Sequence, residues 1–170
     1  MATTQKNSDF LKLREVKKGA YGEYLAKKYF VEEHYIIYRP TINGSHGFDF
    51  FLYDNEKEKY IAVEVKTKAK CRNYPETGFN QNVYERYCQL SNEYNMPVLV
   101  VFVDEDEKRM YGNYLSELCK PIFIDEEKAG HYPKFKPSSD GTKNLVYFHM
   151  SSMNTFRALT DNEVAQLKKT

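Results

Sequence analysis

The stretch Lys59-Tyr60-Ile61-Ala62-Val63-Glu64-Val65-Lys66-Thr67-Lys68 decides the fold. Side chains alternate across a strand, so Ile61, Val63, Val65 and Thr67 make one β-branched face. Ala62, Glu64, Lys66 and Lys68 make the other. A carboxylate and an ammonium two residues apart therefore share a face. Fifteen residues before Glu64, the aromatic segment Phe48-Asp49-Phe50-Phe51-Leu52 supplies a second carboxylate. Two acids and a lysine on neighbouring strands can hold a divalent metal and a water beside a phosphate.

Upstream, apolar residues recur at Phe10, Leu13, Val16, Ala20, Tyr24, Leu25 and Tyr29. That spacing predicts a helix over 9–30, with Ser8 as N-cap and Asp9 suiting the helix dipole. Gly19 and Gly22 each weaken it by about 1 kcal/mol relative to Ala, so they imply a close approach or a break. Glu23 falls on or beside the buried stripe, where an acid needs a partner. A short strand follows over 35–38, ended by Pro40. A turn over 43–47 leads to a strand over 48–53. The charged turn 54–58 then leads into the 59–68 strand, completing an antiparallel meander.

Downstream, 69–79 reads as a loop and 81–94 as a helix capped by Asn80, with Val83, Tyr87, Leu90 and Tyr94 as its stripe. The continuous apolar run 98–103 suits a strand buried on both faces, and 109–115 its hairpin partner. Residues 121–124 make a short strand, 128–143 an exposed loop, 145–150 the last strand, and 161–169 a helix capped by Thr160. No repeat or linker divides the chain. A length of 170 residues predicts one α/β domain, with a core over about 9–115 and additions over 116–170.

Net charge is +1, so attraction to a polyanion must come from a local patch. Cys71, Cys88 and Cys119 are odd in number and lack metal-ligand spacing, which reads as free thiols in a reducing compartment. There is no apolar run behind Met1 and no stretch near the roughly 20 apolar residues that span a bilayer. The expectation is a soluble cytoplasmic protein with no membrane partner.

Asp49 followed by Glu64-Val65-Lys66 resembles the PD-(D/E)XK nuclease superfamily, over roughly residues 9–103. In that pattern an Asp begins the second core strand and Glu-x-Lys lies on the third. Phe48 stands where the nominal pattern has proline, a position that is not a ligand. Glu23 is similar to the acid that many members, including archaeal-type Holliday junction resolvases, carry on the first helix. The resemblance implies a restriction-endonuclease-like fold, a central mixed β-sheet flanked by helices. It implies a Mg²⁺- or Mn²⁺-dependent endo- or exodeoxyribonuclease that is structure-directed or nonspecific. Its metal ligands would be Asp49, Glu64 and the Val65 carbonyl, with Glu23 binding a second metal through water or orienting the first ligands. Lys66 would orient the attacking water, and Gln81 would reach the site from a helix N-terminus. Resolvase-like members commonly act as dimers, so a homodimer stands beside DNA among the expected partners.

The basic run Lys66, Lys68, Lys70 and Arg72 is expected to track a DNA backbone, extended by Arg39 and by Lys17, Lys18, Lys27 and Lys28. Two plainer readings stay open. One is a non-catalytic nucleic-acid- or protein-binding module on the same fold. The other is an interaction protein in which Glu64 and Lys66 form an ion pair on a solvated strand and the basic run is a solvated face.

Overall fold

The computed structural model describes residues 13–39, 47–125, 130–138 and 141–170. Helix α1 (Arg14–Glu32) is followed by β1 (Ile36–Tyr38), β2 (Phe50–Asp54) and β3 (Lys59–Thr67). Then come β4 (Glu76–Asn80), α2 (Gln81–Tyr94), β5 (Val98–Asp104) and β6 (Arg109–Tyr114). After the short α3 (Leu115–Leu118) come β7 (Ile122–Ile124), β8 (Gly130–Tyr132), β9 (Lys134–Pro137) and β10 (Asn144–His149). Strand β11 (Asn154–Ala158) and helix α4 (Asp161–Lys169) end the chain.

The main sheet has the order β1-β2-β3-β5-β6-β11. Every pair is antiparallel except β3 and β5, which are parallel. The β3–β5 connection must cross over, and β4 with α2 makes that crossover. The protein is thus an α/β fold with a central mixed sheet flanked by helices, the arrangement the resemblance implies. The expected meander is β1–β2–β3.

The alternation of β3 divides the interior in two. Ile61, Val63 and Val65 pack with Leu25, Ala26 and Phe30 of α1 and with Val164 and Leu167 of α4. Ala62 packs on the opposite side with Phe79, Tyr87, Val100 and Phe102, under α2. Burying one such side chain contributes roughly 1.5–3 kcal/mol, so β3, central and covered on both faces, anchors both halves. Every residue of β5 is buried, as the continuous apolar run predicts. Thr160 and Glu163 form a capping box at α4, and the Asn80 side chain accepts the Asn82 N–H at 2.9 Å to cap α2.

Several expectations need correction. In α1 the buried positions are Gly22, Leu25, Ala26 and Phe30, whereas Leu13 and Tyr24 are about half exposed. The stripe is therefore rotated, because Gly22 fixes which side meets the sheet: a Cβ there would lie 1.8 Å from Thr67 Oγ1. At Gly19 an added Cβ would meet nothing within 4 Å, so only one of the two glycines marks a close approach. Ser8 and Asp9, Pro40 and most of the 43–47 turn lie outside the described residues. In α2 only Tyr87 of the expected stripe is fully buried, and Tyr94 is exposed.

The expected loop 69–79 contains β4, and the expected loop 128–143 contains β8 and β9. Both are held by pairing: β4 and β9 flank β10 in a second, three-stranded sheet, and β8 pairs with β7. Strand β10 is not the last, since β11 closes the edge of the main sheet against β6. Among the described residues no helix is long and apolar enough to cross a membrane.

Candidate active site

Asp49 sits in the bend just before β2. Its N–H donates to the Val63 carbonyl at 3.0 Å, and Val63 is also the partner of Phe50, so the two residues share one partner where the β2–β3 ladder ends. This leaves Asp49 close enough to Glu64 for their charges to interact. Asp49 Oδ2 accepts the Val65 N–H at 2.7 Å, so its carboxylate lies over the end of that ladder. In an extended strand the N–H and C=O of one residue point to the same side. The Val65 carbonyl therefore faces the Asp49 side of β3.

Like charges held close together away from water are unfavourable. Here burial, and then the charge of Glu64, push the Asp49 carboxyl up to about 7. The Val65 N–H and Lys66 oppose that rise, while Glu23 adds to it. Glu64 is only 7% exposed, and the Lys66 ammonium contacts its carboxylate directly. That ammonium also stands 5.9 Å from the centre of the Phe79 ring. The two residues share a face of β3, as alternation requires.

Glu23 reaches this end of the sheet from α1. Lys27 donates to its Oε2 at 3.4 Å, and Arg39 lies 3.9 Å from the same oxygen. Lys27 also sits 5.7 Å from the ring centre of Phe50, the residue after Asp49. Glu23 thus stands close enough to raise Asp49 while its own charge is shared with two cations.

The other expected residues are placed elsewhere. Gln81 opens α2, with its amide donating to Glu85 at 2.6 Å. Lys68 donates to the Gly78 carbonyl at 2.8 Å, and burial lowers its pKa. The Lys70 N–H donates to Asp104 at 2.8 Å, and its ammonium lies 2.9 Å from Glu107. Arg72 is exposed. On α1, Lys18 pairs with Glu105, and Lys28 lies 4.0 Å from Glu32.

Tyr87 is a site residue that sequence reasoning placed only in the core. Its ring stacks on Phe48 at 4.9 Å, and it is the buried residue of α2. Burial, then the charge of the nearby Glu64, hold the phenol well above its usual range. A neighbouring phenol can fix the orientation of a carboxylate, and losing such a partner typically costs about tenfold in metal affinity. Tyr87→Phe is expected to weaken Mn²⁺ binding by about that factor in a calorimetric titration, with little change in melting temperature.

Among the described residues no group of three or more His, Cys, Asp or Glu side chains is arranged to hold a metal ion. The donor set is two carboxylates, Asp49 and Glu64, with the Val65 carbonyl beside them. It nevertheless fits a hard divalent cation: the donors are all oxygen, and the charge of Glu64 raises the cost of ionising Asp49. A dication between them would remove that cost.

No family model matches the chain, and no curated protein does. Among solved structures it is similar to Hjc, a Holliday junction resolvase from the archaeal hyperthermophile Archaeoglobus fulgidus. The two share 12% sequence identity with a TM-score of 0.49, over 79% of this chain and 86% of that one.

Proposed function

We propose that the protein is a divalent-metal-dependent deoxyribonuclease that hydrolyses DNA phosphodiester bonds, directed by DNA structure or nonspecific. One observation carries this reading: a half-buried Asp49 beside Glu64, its carboxyl pushed up to about 7, with Lys66 on the same strand face as Glu64. A fold gains nothing from placing two acids together in a half-buried site. Metal-assisted phosphodiester hydrolysis uses such a pair of acids to hold the cation.

Asp49, Glu64 and the Val65 carbonyl would hold Mg²⁺ or Mn²⁺. The chemistry such an ion supplies is charge neutralisation at the phosphate oxygens and a lower pKa for the attacking water. Lys66 orients that water and stabilises the negative charge that builds on the phosphorane oxygens. The water oxygen bonds to phosphorus, the bond to one sugar oxygen breaks, and the leaving oxygen takes a proton. Glu23 adjusts the charge at Asp49, and Tyr87 holds the Glu64 carboxylate in place. Gln81, at the start of α2, would act after releasing Glu85.

The direct Lys66–Glu64 contact favours one second reading, a non-catalytic DNA- or protein-binding module in which the lysine simply neutralises the acid. A cleavage assay separates the two. Single-stranded, duplex, flap and four-way-junction DNA are incubated with Mg²⁺ or Mn²⁺. Wild type is expected to cut at least one of them, and Glu64→Ala and Lys66→Ala to lose at least about a hundredfold in rate. Equal cutting by Glu64→Ala and wild type would remove the assignment.

A further inference from the structure

The outward face of the second sheet carries an arrangement of rings and charge that the candidate active site does not use. In that sheet Tyr147 pairs with Lys134, and Leu145 with Lys136. On the other side of β10, Tyr147 pairs with Gly78 and His149 with Glu76. Alternation sends Val146, Phe148 and Phe79 inward, into the core under α2. It sends Tyr147, Lys134, Lys136 and Glu76 to the opposite face.

On that face the Lys136 ammonium stands between two tyrosines, 5.5 Å from the ring centre of Tyr74 and 5.6 Å from that of Tyr147. Tyr74 is 39% exposed, Tyr147 is partly exposed, and the Lys136 side chain is 45% exposed. Beneath them Glu76 is buried. It accepts the Tyr132 hydroxyl at 2.8 Å and lies 3.8 Å from Lys134 and 3.5 Å from Lys136. Two lysines thus face one carboxylate, which leaves one positive charge in excess, and Lys136 is the more exposed of the two. The loop that leaves β3 is tied to the same sheet. Lys68 donates to the Gly78 carbonyl, and the Cys71 N–H donates to the Glu76 carbonyl at 2.8 Å. The next residue is the exposed Arg72.

Half-exposed rings interleaved with excess positive charge suit a polyanion whose bases offer free π-faces, and only an unpaired strand offers them. We propose that the outward face of the β4–β10–β9 sheet, through Tyr74, Tyr147, Lys136 and Arg72, binds an unpaired stretch of DNA. The bases stack on the two tyrosines, and the phosphates meet Lys136 and Arg72. Strand β4 also carries Phe79, on the sheet's other face, whose ring lies 5.9 Å from the Lys66 ammonium, so β4 links the binding face to the candidate cleavage site. The reason a strand should be delivered there rests on the nuclease reading, whereas the binding itself is measured without cleavage.

The test is fluorescence anisotropy on the full chain in EDTA, with a labelled oligothymidylate and a labelled duplex. Exchanging both rings for alanine, Tyr74→Ala with Tyr147→Ala, is expected to weaken single-strand binding at least about tenfold and leave duplex binding within about twofold. The Tyr74→Phe with Tyr147→Phe pair keeps the rings and is expected to bind as wild type does. Lys136→Gln, which keeps both rings and the buried Glu76–Lys134 pair, is expected to lower the salt dependence of binding by about one counterion. The proposal is overturned by single-strand binding that survives the alanine pair, by equal losses on both DNAs, or by an unchanged salt slope in Lys136→Gln. If the platform variants behave as expected but wild type cuts no DNA, the binding surface stands and the nuclease reading falls.

Discussion

Asp49→Asn is expected to abolish cleavage and, in the same protein, to stabilise the metal-free fold above neutral pH. The loss of cleavage follows from removing one of two anionic metal donors, and is on the order of a thousandfold. The gain in stability follows from linkage. Asp49 titrates at about 7 in the fold against 3.8 as a free side chain. The folded state therefore holds a proton that the unfolded state releases, and stability contributed by that proton is present below about pH 4 and is lost as pH rises to about 7. Above that, the fold carries an ionised Asp49 beside Glu64. Asparagine still accepts the Val65 N–H without the charge. Melting in EDTA should show Asp49→Asn roughly 5 °C above wild type at about pH 8, with the difference shrinking towards about pH 4. A mutant that melts with wild type at both values would mean that Asp49 is not held under charge repulsion. Saturating Mn²⁺ should reverse the order at about pH 8, because only wild type gains from binding it.

Gly22→Ala and Gly19→Ala are expected to move stability in opposite directions. At Gly22 the new Cβ would fall 1.8 Å from Thr67 Oγ1 and 2.9 Å from Thr67 Cβ, so α1 must move off β3. Overpacking of this kind costs about 1–3 kcal/mol, a fall of roughly 2–12 °C in melting temperature for a chain of this size. The same shift carries the adjacent Glu23 away from Asp49, so cleavage should fall too. At Gly19 the added methyl meets nothing, and alanine should raise helix stability by up to about 1 kcal/mol. Thermal melts of the two variants read both effects. A Gly22→Ala protein as stable as wild type would show that the helix and strand do not approach as closely as described.

What the sequence made legible was the frame that holds the site. The period-two pattern of β3 decided which residues share a face, and the structure separates its two faces into two cores. Asn80 and Thr160 marked their helices because a side-chain oxygen before an apolar period satisfies backbone donors locally. The rest was hidden because it depends on partners far away in the chain. Glu76–Asn80 contains a glycine, and three of the four residues of Lys134–Pro137 are lysine or proline, so neither has strand propensity of its own. Both become strands by pairing with β10. The stripe of α1 was misjudged because Gly22, with no side chain to count as apolar, is the residue that touches the sheet most closely. Tyr87 was readable as a buried helix position but not as a neighbour of Glu64. That proximity exists only once the crossover lays α2 over β3.

The same dependence explains the basic run. Lys68 and Lys70 look like a continuous phosphate track in sequence, yet Gly78 and the pair Asp104 and Glu107 engage them. The charge and rings that remain for a partner come instead from Lys136, Arg72 and Tyr74, in segments that read as loops, and from Tyr147 in the expected strand 145–150.

The central claim is that Asp49 and Glu64 together make a divalent-metal site. A calorimetric titration of the metal-free protein with Mn²⁺ at about pH 7.5 tests it most directly, with wild type, Asp49→Asn and Glu64→Ala measured side by side. The account predicts saturable binding by wild type, with proton release as Asp49 ionises, and loss of that binding in both variants. Binding of equal strength in all three proteins, or none in wild type, would contradict it.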